Sequence, residues 1–371
     1  MTRHAGRLIT IESLADLDRR LEQGGTRLVG WRVVGLDLRD RSAELAARDT
    51  SRTTFAGCVF AAGDDALHAA RGALVLPAVP RPPADPRRTA LYTADELYDD
   101  DAYGASLDGR TYAWTQRRHD PDVLLDRTLH DDGIDRALAH WVEPRRLVGV
   151  MGGHGLPRGS AGYAEAARLG RLLSASDGSR DGFTVATGGG PGAMEAANLG
   201  ARLSAGGAAA LEGALDELAA VPSYRPSVEA WVSAARTVLT DAAGLPRVDT
   251  LGVPTWHYGH EPSNLFATAI AKYFRNALRE AILLQVCGHG IVFLPGAGGT
   301  VQEIFQDACE NYYAAEDAIA PMVLVGREHW TETLPAWPLL RALAKGRPME
   351  RHVHLVDTVE DAAEIVRGAD R

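Results

Sequence analysis

The chain has 371 residues, 46% hydrophobic and 24% charged, enough for two domains with cores of their own. Its formal net charge of -10 argues against a general nucleic-acid binder, although local backbone amides and arginines can still hold a small anion. The start, MTRHAGRLITIESL, lacks the apolar core and cleavage site of a secretory signal, and no apolar run approaches the roughly twenty residues of a membrane span, so a cytoplasmic protein is expected.

From Arg7 to Pro77 the short apolar pieces RLITI, RLVGWRVVGLDL, TTFAGCVFAAG and GALVLP alternate with helical interludes, which predicts a small α/β layer. A proline-rich connector follows near residues 78–88, VPRPPADPRR, too stiff and donor-poor for a helix interior or a central strand. Beyond it LYTADELYDD and DVLLDRTLHDDGIDRALAHWV carry apolar residues at helical spacing, with Thr93 and Asp120 as helix starts. These segments make residues 1–144 an N-terminal α/β region, and no internal repeat is found in the chain. Three cysteines, Cys58, Cys287 and Cys309, show no CxxC spacing and suggest neither a disulfide framework nor a zinc site; they read as buried thiols.

Residues 145–371 are more regular. RLVGVMGG, GFTVATGGG, GIVFLPG, PMVLVG and HVHLV read as strands; SAGYAEAARLGRLLSAS, GAMEAANLGARLS, HEPSNLFATAIAKYFRNALREAILLQ, TVQEIFQDACENYYA and TVEDAAEIV read as helices. Parallel strands need helical crossovers, so the alternation predicts a Rossmann-like parallel sheet with helices on both faces. In such sheets ligands bind at the carboxyl ends of the strands. Three loops there are rich in glycine, MGGHGLPRGS, TGGGPGAMEAAN and PGAGGTVQE, and each leads into a helix whose free N–H groups favour an anion. Tight turns explain any one of them equally well; together they suggest a phosphate pocket. A dinucleotide fingerprint is weak, because Gly188, Gly190 and Ala193 follow the second strand and no strand-ending acid comes after them. No GK[ST] follows any loop, so a P-loop is poorly supported.

GGGPGAMEAAN and PGAGGTVQE resemble the two signature loops of the LOG (LONELY GUY) family of phosphoribohydrolases, also labelled lysine decarboxylase-like. That family carries GGG-x-x-G-x-M and PGG-x-GT-x-x-E on a Rossmann-like fold. The first pattern falls on Gly188, Gly189, Gly190, Gly192 or Ala193, and Met194; the second falls on Pro295, Gly296, Gly299, Thr300 and Glu303, with Ala297 in place of the second glycine of PGG. The likeness spans roughly residues 146–367, so the chain resembles a longer bacterial relative, and no pattern suggests a pyridoxal phosphate lysine.

The resemblance implies hydrolysis of the N-glycosidic bond of a nucleoside 5′-monophosphate to free base and ribose 5-phosphate, with no cofactor and with dimerisation through the long helices. Glu303 would be the catalytic carboxylate, stabilising oxocarbenium charge and activating water. Gly152, Gly153 and His154 in the first loop, Gly188, Gly189, Gly190, Gly192, Met194 and Asn198 in and after the second, and Pro295, Gly296, Ala297, Gly298, Gly299 and Thr300 in the third would bind substrate and its phosphate.

Local sequence offers a second explanation of Glu303, a capping box with Thr300 as the helix cap. A cationic partner is expected on the helix preceding the third loop. Lys272, Arg275 and Arg279 share one face of it, with Phe266, Ile270, Phe274, Leu278 and Ile282 as the apolar stripe. The family places a functional arginine there; Arg279 is chosen and Arg275 stays open as a binding residue. A solvated basic face is the plainer alternative. Arg158 in the first loop is a further candidate for base or phosphate, while Glu195 is explained by its place in the first turn of a helix. In TWHYGHEPSN, His257, Tyr258, His260 and Asn264 precede the arginine helix; their aromatics suit base stacking, and no metal is assigned. The competing reading from another class is a nucleotide-binding or carrier module that uses the same loops without turnover.

Overall fold

The computed structural model describes residues 9–23, 26–76, 82–116, 121–176, 182–257 and 261–369. Asp120, Tyr258, His260 and the first part of the proline-rich connector lie outside the described residues. The chain divides into two compact units, Met1–Arg81 and Pro82–Arg371.

In the smaller unit β1 (Ile9–Ile11), β2 (Trp31–Val34), β3 (Thr54–Ala56) and β4 (Leu74–Leu76) form a parallel sheet in chain order, connected through α1 (Leu14–Glu22), α2 (Ser42–Ala46) and α3 (Asp64–Ala70). All four strands lie in the apolar pieces picked out from the sequence. Ile9 stands opposite Trp31, Arg32 opposite Thr54 and Thr54 opposite Leu74, offsets of 22, 22 and 20 residues. The backbone therefore repeats where the sequence shows no repeat. Ile11, Leu17, Leu28, Val33 and Phe55 fill its core.

In the larger unit α4 (Ala94–Leu97), α5 (Leu107–Thr115) and α6 (Pro121–Val142) precede the sheet. Thr93 caps α4 as expected, its side chain accepting from the Glu96 N–H. Tyr92, Leu97, Tyr98, Ile134 and Leu138 belong to the same core as the sheet strands, so residues 82–144 build the larger unit, and the division falls inside the connector rather than near residue 144. The remainder runs β5 (Leu147–Met151), α7 (Ala161–Ser174), β6 (Thr184–Thr187), α8 (Ala193–Arg202), α9 (Gly207–Ala219), α10 (Val228–Asp241), β7 (Thr250–Gly252), β8 (Ala269–Ile270), α11 (Asn276–Gln285), β9 (Ile291–Phe293), α12 (Gly298–Tyr313), β10 (Met322–Val325), α13 (Ala336–Ala344), β11 (Val353–Val356) and α14 (Val359–Ala369). Seven parallel strands take the order β11-β10-β9-β5-β6-β7-β8, a Rossmann-like sheet. The chain fills one half outward from β5 and then returns to the other side of β5 with β9. The switch point therefore lies between β5 and β9, the place in such sheets where ligands are held by the loops at the carboxyl ends of the strands.

The long helix expected over HEPSNLFATAIAKYFRNALREAILLQ does not form: only Asn276–Gln285 is helical. Tertiary hydrogen bonds override its 3.6-residue periodicity. Asn264 Oδ1 accepts from the N–H groups of Phe266 and Ala267, and the N–H groups of Ile270, Ala271 and Tyr273 donate to the carbonyls of Tyr92, Gly252 and Pro254. Phe266, Ile270 and Phe274 are buried from an extended segment, and Leu278 is exposed, so the proposed stripe is not one helix face. Of the cysteines, Cys287 is buried and Cys58 half-buried, but Cys309 is exposed on α12, against expectation. Among the described residues no helix is long and apolar enough to cross a membrane.

Candidate functional site

The three glycine loops meet at the carboxyl ends of β5, β6 and β9. The Gly153 N–H points to the Pro295 carbonyl at 3.4 Å, and the Gly153 carbonyl accepts from the Ala193 N–H at 3.1 Å, so each loop holds another. Glycine is required where they touch. Gly192, with φ of 73° and ψ of -132°, would place a Cβ 2.6 Å from the carbonyl oxygens of both Gly153 and His154. At Gly152 a Cβ would stand 2.9 Å from that of Ala193.

The β6 loop is buried and fully tied. Thr187 Oγ1 accepts from the Gly189 N–H and donates to Asn198 Oδ1; Asn198 Nδ2 donates to the Leu251 carbonyl. Asn264 donates from its backbone N–H to the Gly189 carbonyl and from Nδ2 to the Gly190 carbonyl and to Asn198 Oδ1. Asn198 is fully buried, so it shapes the loop instead of facing a ligand. Met194 lies against the same turn, its Sδ 2.7 Å from where a Gly188 Cβ would be.

The β9 loop is open. Pro295, Ala297, Gly298 and Gly299 are exposed, and Cβ atoms added at Gly298 or Gly299 would meet nothing within 4 Å. Ala297 has φ of -122°, so its departure from the PGG pattern does not fall at a left-handed position that would favour glycine. Gly296 does need to be small: a Cβ would stand 2.2 Å from Thr300 Oγ1. The expected capping box is absent. The helix cap is Ala297, without a side-chain bond, and Thr300 is already the third helical residue. Glu303 lies a turn further on, too late to close the box. Its carboxylate has no part in starting the helix.

What Glu303 does meet is Arg279, in the first turn and a half of α11. Arg279 Nη1 lies 3.8 Å from Glu303 Oε1, with the side chains 11% and 15% exposed. Burial pushes the Glu303 carboxyl up to about 7; Arg279 pulls it down and Glu280 pushes it up. Arg279 Nε is buried and has no hydrogen-bond partner. Arg279 Nη2 is 3.1 Å from the position of a Gly188 Cβ, so the pair borders the β6 loop as well. One turn beyond Glu303, burial and then Glu310 push Asp307 up to about 8, and its Oδ2 is buried without a partner.

The other expected cations do not join this pair. Arg275 is exposed and caps α11. Lys272 is buried in an ion pair with Asp108 at 2.6 Å and bonds Ser263 Oγ. Arg158, expected to meet a ligand, is buried in an ion pair with Glu195 and donates to the Trp231 carbonyl at 3.1 Å. Glu195 is therefore more than a favourable charge in a first turn. His154 stays exposed, its Nδ1 3.8 Å from Glu261 Oε1, and His257 is exposed. Glu261 in turn comes within 3.6 Å of the position of a Gly190 Cβ. His329 Nε2 lies 3.1 Å from the Gly296 carbonyl. Neither Glu261 nor His329 carries a motif, so sequence gave no reason to select them.

Among the described residues, two cavities stand out beside the sheet. One of about 280 Å³ opens beside the first two glycine loops, between His154, Pro157, Pro191, Gly192, Tyr224 and Trp231. The other, of about 1080 Å³, lies at the amino ends of β5 and β8, away from the glycine loops, with Leu91, Tyr92, Trp141, Arg145 and Thr268 among its walls.

No family model and no curated protein matches the chain. Among solved structures it is similar to the X-ray structure of TM1055, a structural-genomics target, at 19% identity over 60% of this chain and 99% of that one, with a TM-score of 0.36. A likeness of that size carries no argument about function.

Proposed function

We propose that the protein hydrolyses the N-glycosidic bond of a nucleoside 5′-monophosphate, releasing free base and ribose 5-phosphate. The observation that carries this reading is the Arg279–Glu303 pair beside the β6 and β9 loops: a carboxyl pushed up to about 7 next to a guanidinium whose buried Nε–H is unpartnered. The likeness of the two glycine loops to those of the LOG phosphoribohydrolases supports it.

The exposed start of α12 receives the 5′-phosphate on its free N–H groups. That remote anchor places C1′ near Glu303. Water attacks C1′ while the bond to the base nitrogen breaks. Glu303, ionised, stabilises the positive charge that develops on the sugar and takes the proton from the attacking water; the departing nitrogen gains a proton, so the water is divided between the two products. Arg279 stands beside the reacting carboxyl, presents the accessible part of its guanidinium to the substrate, and keeps Glu303 more acidic than burial alone would leave it.

The test is incubation of the purified protein with a panel of nucleoside 5′-monophosphates and the matching nucleosides, assaying free base and ribose 5-phosphate. Release from nucleotides at much higher kcat/KM than from nucleosides is expected. Equal values would remove the phosphate pocket, and nucleotide binding without release would favour the carrier reading.

A further inference from the structure

The segment that leads into α11 is held from α6, a helix outside the part of the chain that carries the family likeness. Asp131 in α6 is buried, 1% exposed. Its Oδ1 accepts from the Phe274 N–H at 2.9 Å and its Oδ2 from the Arg275 N–H at 3.0 Å. These are amides at the start of α11, where a helix has donors without partners of its own, and an acid there also suits the helix dipole. Arg275 then accepts at its carbonyl from the Arg279 N–H, so two hydrogen bonds link the Asp131 carboxylate to the backbone of Arg279.

Asp131 is itself fixed. His130 Nδ1 lies 3.1 Å from Asp131 Oδ1 and, since a carboxylate only accepts, donates to it, while Nε2 is hydrogen-bonded to the Tyr92 hydroxyl at 2.8 Å. Tyr92 is joined to Ile270 by two backbone hydrogen bonds, and the His130 ring packs edge-on against Phe274 at 4.7 Å. One turn along α6, Asp135 Oδ1 accepts from the Tyr273 hydroxyl at 2.8 Å. Tyr273, Phe274 and Arg275 are thus gripped in succession by one face of α6.

We infer that Asp131 is a positioning residue for Arg279: by taking both N–H groups at the start of α11 it sets where the guanidinium stands relative to Glu303. This rests on the reading of Arg279 and Glu303 as the reacting pair. The inference assigns a task to residues 82–144 that the glycine loops alone do not supply.

Asparagine at position 131 is isosteric but carries one acceptor oxygen, so either the Phe274 or the Arg275 N–H must face an amide donor. The test uses the whole chain with the carboxyl carbons of its glutamates labelled with ¹³C, the Glu303 resonance being assigned by its loss in Glu303→Gln. In Asp131→Asn the Glu303 titration should move upward, in the direction given by Arg279→Ala, because the guanidinium is no longer held near it; Glu280 faces Glu303 from the same helix and is unchanged. kcat/KM on the nucleotide should fall by roughly a hundredfold, the cost of misplacing a reacting group by about 1 Å. Asp135→Asn loosens the neighbouring grip on Tyr273 and should leave the titration in place. Should Asp131→Asn not fold, Asp131→Glu keeps the charge but is longer by one methylene, and it should shift the titration upward too.

An unmoved Glu303 titration in the folded variant, or an equal shift in Asp135→Asn, would overturn the inference. The titration needs no turnover. A parent that hydrolyses no nucleotide, with the shift still present in Asp131→Asn, would therefore end the hydrolase reading while leaving the positioning role intact.

Discussion

The loops after β6 and β9 look alike in sequence, each a strand running through glycines into a helix, yet the protein uses them in opposite ways. Every residue from Gly188 to Gly200 is buried, and Thr187, Asn198 and Asn264 tie the turn down. In the loop after β9, Ala297, Gly298 and Gly299 are exposed with free space around the glycines, and Glu303 follows one turn later. Glycine in the first loop allows backbone to approach backbone; in the second it leaves room for something else to approach. The first loop is a wall and the second is a mouth.

The sharpest way to break this contrast is to add one methyl group to each loop. Gly192→Ala forces a Cβ to within 2.6 Å of two carbonyl oxygens at a backbone conformation reserved for glycine. A loss of about 3 kcal/mol or more in chemical denaturation is expected, from overpacking and backbone strain together. Gly298→Ala meets nothing and lies in the first turn of a helix, where alanine is the better former, so its stability should be equal or slightly higher. Equal losses in the two variants would mean that both loops are packed alike.

The next effect belongs to the mouth alone. Glu303→Gln keeps size and hydrogen bonding but cannot accept a proton or offset positive charge, so kcat should fall by roughly a hundredfold or more with little change in nucleotide binding. In the parent, kcat/KM should rise with pH to a plateau through the ionisation near 7. Near-parental turnover in the variant would place the chemistry elsewhere.

Much of this arrangement can be read from the sequence because strand periodicity and glycine spacing are local. The four strands of the smaller unit, the strands β5, β6, β9, β10 and β11, all three glycine loops and Glu303 lie in segments that announce themselves. What failed depends on distant partners. Ile270, Phe274 and Leu278 keep helical spacing, but Tyr92, Gly252 and Pro254 compete for the backbone there, and Asp131 fixes where the helix can begin. Lys272 and Arg158 look like free cations until Asp108 and Glu195 are seen to neutralise them inside the core. No spacing rule connects residue 131 to residue 275, so the grip of α6 on α11 was not legible.

Stability should also separate the mouth from the wall, through pH. The Glu303 carboxyl ordinarily titrates near 4.5 and in the folded protein near 7. Between these values the folded state holds more protons than the unfolded chain, so stability falls as pH rises across that window and levels off above it. Glu303→Gln removes this dependence. At pH 8 the variant should be more stable than the parent by about 3 kcal/mol, with the difference vanishing near pH 4. Parallel stability curves over that range would show that the carboxyl is better solvated than its position implies.

The smallest effect concerns Ala297, the one departure from the glycine pattern in the mouth. Its φ of -122° is negative, so no left-handed conformation calls for glycine there. Ala297→Gly should therefore leave turnover within about twofold of the parent, since no backbone strain is released at the site. It should lower stability by about 0.5–1 kcal/mol, because glycine gives the unfolded chain more freedom to lose on folding. A rise in kcat of about tenfold or more, equivalent to some 1.4 kcal/mol, would show that the alanine holds the loop away from its working shape.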